Sequence, residues 1–222
     1  MSKISKLAAL AAFYFTVLLM LTACEKKEEE PWIPESTAIQ VSEDGVITET
    51  IIDRLRESYY DSEELKTMVY ATVHDYTQEY GTDRILVTEY SAEGSQIRIV
   101  LTYAGWEDYA AYNNVRFFNG SMLKAQMEGF LFETSFQIVA KDGSVSQQRI
   151  SSDGPVSHKE YQVLVTDRSH AVEVPGNIVY VSAPASVENR RIAFPLETEE
   201  VLDEADVSSE EAGLFYVLYE VM

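Results

Sequence analysis

The chain has one cysteine, three histidines and ten glycines in 222 residues. A single thiol excludes an intramolecular disulfide, so the stability of the folded part must come from a packed core. Three histidines at positions 74, 158 and 170 are too scattered for the close pair, or the flanking cysteines, that a zinc site needs. No HExxH and no CxxC occurs, no glycines fall into GxGxxG or GxxxxGK, and no serine sits in GxSxG. Metalloprotease, nucleotide-binding and serine-hydrolase chemistries therefore have no local signal, and no metal, cofactor or catalytic residue is expected.

Basic residues are also scarce, 17 against 37 acidic ones. Such a chain repels itself and is a poor partner for nucleic acid or for an anionic surface. Long apolar runs are absent but for one. Leu7 to Ala23, "LAALAAFYFTVLLMLTA", carries no charge and follows Lys3 and Lys6. A positive segment followed by an apolar one is the order of a secretory signal. Its length of about 17 residues is close to the shortest helix that spans a bilayer. What separates the two readings is the end of the run, Leu21-Thr22-Ala23-Cys24, where a large aliphatic residue and two small ones precede the lone cysteine.

Leader and tetrapeptide together resemble the signal and lipobox of bacterial lipoproteins. That resemblance implies that the Cys24 thiol is acylated, that residues 1–23 are cut away, and that Cys24 becomes a lipidated N-terminus on the extracytoplasmic face of the cell membrane. Loss of Lys3 and Lys6 leaves 15 basic against 37 acidic side chains, a net charge of −22 on 199 residues. Residues 24–36, charged and then punctuated by Pro31 and Pro34, read as a tether.

Residues 37–222 then carry the fold. Ile39 and Val41 alternate with polar residues, Asp44-Gly45 makes a turn, and Val46, Thr48 and Thr50 continue the alternation, which is a hairpin signature. Asp61 with Glu64 caps a helix whose stripe is Leu65, Met68, Val69, Thr72, Val73 and Tyr76, and Gly81 stops it. "RILVTEY" and "QIRIVLTY" make a second hairpin. "WEDYAAYNN" returns to helical spacing, and "FFNGSMLKAQMEG" reads as a turn at Asn119-Gly120 before a short helix capped by Ser121. A third hairpin turns at Asp142-Gly143. The last third is strand-rich, with Pro175-Gly176-Asn177 as a turn between two runs. The composition shift at "SSDGPVSHKE" marks a candidate subdomain boundary near residues 153–158. The pattern predicts an α+β fold, largely antiparallel sheet built from hairpins, with one long and one or two short helices and a β-rich C-terminal third.

Two enrichments remain. Glu197, Glu199, Glu200, Asp203, Glu204, Asp206, Glu210 and Glu211 crowd one tract, without the DxDxDG spacing that fixes a calcium ion, so the tract reads as a solvated loop. Fourteen tyrosines include Tyr59, Tyr60, Tyr70, Tyr76, Tyr80, Tyr90, Tyr103, Tyr109 and Tyr112 in one half. At helix and strand spacing these read as core edges before they read as a platform for sugar or peptide. The segments "YYDSEELKTMV", "YAAYNNVRFFNGSM" and "VEVPGNIVYVS" with "LFYVLYE" are similar to uncharacterised lipoproteins of Gram-positive gut bacteria, a resemblance that implies no activity and no site beyond Cys24. The expectation is a membrane-anchored surface lipoprotein acting as a non-catalytic binding or structural module with a protein or glycan partner. The alternatives are a lipid-anchored glycan hydrolase using a carboxylate pair, and solute capture for a transporter.

Overall fold

The structure, a computed structural model, describes residues 31–57, 59–182, 184–196 and 213–221. Pro34–Met222 forms one compact unit. Cys24, the leader and most of the tether lie outside the described residues.

The first hairpin joins β1 (Ala38–Val41) to β2 (Ile47–Arg54) across Gly45, whose φ of +85° suits a residue without Cβ. The expected helix follows as α1 (Ser62–Tyr80). It begins there because the Asp61 carboxylate accepts from the backbone N–H of Glu63 at 2.7 Å and of Glu64 at 3.4 Å. It ends where the Gly81 N–H returns to the Thr77 carbonyl. Asp61→Ala removes that acceptor from two orphan donors and is expected to lower stability by about 1 kcal/mol, read from urea unfolding. An unchanged midpoint would show that the cap contributes nothing. The buried stripe is narrower than the spacing predicts. Leu65, Val69, Val73 and Tyr76 face the core, while Met68 and Thr72 are exposed on its flank.

The second hairpin is β3 (Ile85–Glu93) and β4 (Gln96–Tyr103), turning at Gly94. Then come α2 (Trp106–Asn113), β5 (Phe117–Ser121) and α3 (Met122–Met127). Asn119-Gly120 is not a turn. Both residues lie inside β5, where Asn119 pairs with Leu164 and Gly120 with Val163 of β8 (Gln162–Thr166), and glycine stands at 120 because the ring of Phe118 sits over it where any side chain would crowd it. Ser121 caps α3 as expected, accepting from the Lys124 N–H at 3.2 Å. The third hairpin pairs β6 (Ser135–Val139) with β7 (Val145–Ser151). Residues Asp153–Ser157 form the short helix α4 between β7 and β8, two strands of one sheet.

The remaining strands are β9 (Ala171–Glu173), β10 (Gly176–Val181), β11 (Ala185–Glu188), β12 (Ile192–Pro195) and β13 (Phe215–Val221). Pro175-Gly176 does not close a hairpin. It carries the chain from β9 in one sheet to β10 in the other, and Gly176 and Asn177 already pair with β13. The first sheet has the order β11-β12-β9-β1-β2-β4-β3 and the second β5-β8-β13-β10-β6-β7. Among the described residues every ladder is antiparallel except β1 with β9. The fold is α+β and dominated by antiparallel sheet, as the periodicity predicts.

Apolar side chains of both sheets share one core, with Ile39, Ile47 and Leu101 from the first and Leu164, Ile178 and Val217 from the second. The second sheet is buried on its other face too. There Phe118, Val163, Val165, Tyr216 and Leu218 meet Met122 and Ala125 of α3 and the aromatic segment Phe130 to Phe136. A strand with two buried faces has no polar phase, which is why β13 reads as the unbroken run "FYVLY".

Candidate functional site

One polar knot lies inside the larger core. On β2 the inward phase is Ile47, Glu49 and Ile51, so strand geometry alone aims a carboxylate between two isoleucines toward the apolar interior. Glu49 is 6% exposed. The last residue of β4, Tyr103, donates its hydroxyl to Glu49 Oε2 at 2.7 Å, and Tyr109 of α2 donates to Oε1 at 3.5 Å. Asn113, four residues after Tyr109 on the same face of α2, donates from Nδ2 to the Tyr103 hydroxyl at 3.1 Å and to the Tyr109 carbonyl at 3.2 Å. Because the Tyr103 oxygen accepts from Asn113, its own proton is directed to Glu49.

Burial governs the electrostatics. It pushes the Glu49 carboxyl above the ordinary carboxylate range, against the lowering pull of Tyr103, Asn113, the Arg168 charge and Tyr109. It also raises both tyrosines far beyond the usual range, and the neighbouring Glu49 charge adds to the rise. Neither hydroxyl ionises at any ordinary pH, so each serves as a fixed hydrogen-bond donor.

A second buried carboxylate, Asp108, is balanced differently. Arg84 places Nη1 3.1 Å from Oδ2, and Tyr76 of α1 donates to Oδ1 at 3.2 Å. Burial, with the Asp108 charge next, pushes the Tyr76 hydroxyl up to about 12. Tyr112 stacks edge-on to Tyr76 at 5.6 Å and receives a bond from, or gives one to, Thr72 at 2.9 Å. These contacts tie α1 to α2.

The histidines are not brought together. His74 is exposed on α1, and His158 ends α4, stacked on Tyr161 and 2.9 Å from Glu160. His170 precedes β9 with its imidazole pushed below the ordinary range by burial and then by Arg168. Among the described residues no three His, Cys, Asp or Glu side chains converge as metal ligands. The acidic tract from Glu197 to Glu211 lies outside the described residues. Tyr103 and Tyr109 are fully buried, Tyr76, Tyr90 and Tyr112 are partly so, and Tyr59, Tyr60, Tyr70 and Tyr80 are exposed.

Glu49 and Asp108 were not singled out by motif, since neither has one. The signal for Glu49 is its phase, between Ile47 and Ile51, which is visible only when the inward side of β2 is known. No protein-family profile matches the chain, and neither a curated protein nor a solved structure is significantly similar to it.

Proposed function

We propose that the protein is a lipid-anchored extracytoplasmic lipoprotein whose two-sheet domain is a non-catalytic binding or structural module. The anchoring half rests on Leu21-Thr22-Ala23-Cys24 standing directly after a lysine-bearing start and an uncharged run. The non-catalytic half is supported by one geometric observation. The two carboxylates buried among the described residues are each consumed by separate internal donors, Tyr103 and Tyr109 for Glu49, Arg84 and Tyr76 for Asp108. A carboxylate pair for glycan hydrolysis must flank a groove that admits a sugar. These two are closed off and hold the fold.

Anchoring is tested in cells fed labelled palmitate. The wild-type chain is expected in the membrane fraction with label, and Cys24→Ala is expected to lose the label and to retain the mass of its leader. Label in Cys24→Ala would overturn the assignment. The absence of hydrolysis is tested by incubating the full-length chain with cell-wall and plant polysaccharides. Release of reducing ends that disappears in Glu49→Gln would replace the binding-module reading with the hydrolase one.

A further inference from the structure

The two buried carboxylates differ in a way that has a consequence for conformation. Asp108 has a guanidinium at 3.1 Å, whereas among the described residues Glu49 has only neutral donors, the Tyr103 and Tyr109 hydroxyls and the Asn113 amide, and no basic group within ion-pair distance. The titratable and charged groups around Glu49 can be named among the described residues. From β4 comes Tyr103, from α2 Tyr109 and Asn113, and from the loop after β8 the charge of Arg168 acts at longer range, with Asp167 and His170 on that loop. Its strand neighbours, Ile39 of β1 and Leu101 of β4, are apolar. A carboxylic acid fits such a surrounding. A carboxylate without a cation does not, because the charge loses its water and gains only neutral donors, the Tyr109 hydroxyl among them at 3.5 Å.

The donors also define what moves. Tyr109 and Asn113 both belong to α2, an eight-residue helix capped at its start by Gly105 with no side-chain hydrogen bond. Among the described residues its hydrogen bonds to the strands of the first sheet run through Glu49 and Tyr103, while Asp108 ties it to Arg84, directly before β3, and to Tyr76 of α1. We propose that Glu49 is a proton-operated latch on α2: the neutral acid keeps the helix seated on β2 and β4, and ionisation draws water into that seam and loosens it. The upward displacement of the Glu49 acidity by burial agrees in direction. A group bound to its proton more tightly in the folded state contributes stability in full below its unfolded value. That contribution declines from the ordinary value of 4.5 upward through the folded value.

The latch is tested on the full-length chain in detergent, comparing wild type with Glu49→Gln. Gln keeps an acceptor for Tyr103 and cannot ionise. Amide hydrogen exchange in α2, corrected for its intrinsic pH dependence, is expected to quicken in the wild type as pH rises above the ordinary carboxylate value of 4.5 and through the raised folded value. The gain is roughly tenfold for each unit of displaced acidity. Glu49→Gln is expected to stay flat, and since it retains His170, that histidine cancels in the comparison. A carbon-13 titration of the Glu49 carboxyl in the wild type supplies a readout independent of any variant. Its step is expected above the ordinary carboxylate range and in register with the exchange. Parallel exchange profiles in the two proteins, or a Glu49 step at the ordinary value, would overturn the latch. If Glu49→Gln fails to fold, the register of the carboxyl step with wild-type exchange decides alone.

Discussion

Gly176→Ala is expected to cost the domain several kcal/mol of stability or to prevent its folding. A Cβ at this position would lie 2.1 Å from the Glu220 carbonyl oxygen, 2.8 Å from the Glu220 carbonyl carbon and 2.9 Å from Cδ2 of Tyr219. The first two are backbone of β13, so no rotamer change relieves them. Strand β10 would have to separate from β13 where Gly176 pairs with Val221 and Asn177 with Glu220. That ladder is the centre of the second sheet, and one of its strands buries side chains on both faces. Overpacking in a core costs about 1–3 kcal/mol when side chains yield, and here they do not. At roughly 2–4 °C per kcal/mol for a domain of this size, a loss of about 3 kcal/mol lowers Tm by roughly 6–12 °C. Gly154→Ala is the control, since its Cβ meets nothing within 4 Å. A Gly176→Ala protein that melts with the wild type would show that the two strands separate freely.

Gly176 also shows where local pattern stops being informative. Pro-Gly-Asn after an apolar run is a turn by its chemistry, and a bend does occur there, but the residues that decide its outcome are those of β13, some forty positions away. The hairpins that turn at Gly45, Gly94 and Asp142-Gly143 were legible because alternation and turn sit within one short segment. Helix α1 was legible for the same reason, with cap, stripe and stop inside one stretch. Strand β11 was not, because "ASVE" is short and its turn, Asn189-Arg190 with φ of +50° and +54°, uses an arginine where Gly is the usual signal. The polar knot escaped for a related reason. The alternation of Val46, Thr48 and Thr50 marks a hairpin strand without saying which phase faces inward, and in β2 Ile47, Glu49 and Ile51 take it, because β4 and β1 present Leu101 and Ile39 to that side. A buried acid carries no composition signal. Only the tertiary pairing that puts it among tyrosines reveals it, and the lipidation signal at Cys24 speaks of address alone.

Phe118→Ala is expected to be the other strongly destabilising change, and its effect is coupled to Gly120. The Phe118 ring is fully buried, 4.9 Å from Trp106 and 5.6 Å from Phe130 by ring centroids. Truncating such a residue costs about 3–5 kcal/mol, through lost transfer energy and the cavity left between β5 and the aromatic segment. The same ring dictates glycine two residues on, because a Cβ at Gly120 would stand 3.0 Å from Phe118 Cζ. The ring cannot retreat, being held by Trp106 and Phe130. Gly120→Ala alone is therefore expected to cost about 1–3 kcal/mol. In the Phe118→Ala background that contact no longer exists, and the added methyl restricts the unfolded chain and fills part of the void. Gly120→Ala is then expected to be neutral or mildly stabilising, so the double variant is more stable than the two separate losses combined, with a coupling of about 1–3 kcal/mol. Urea unfolding of the four proteins reads this directly. Additive losses would mean that the Phe118 ring does not occupy the space over Gly120, and the choice of glycine at that strand position would lose its physical cause.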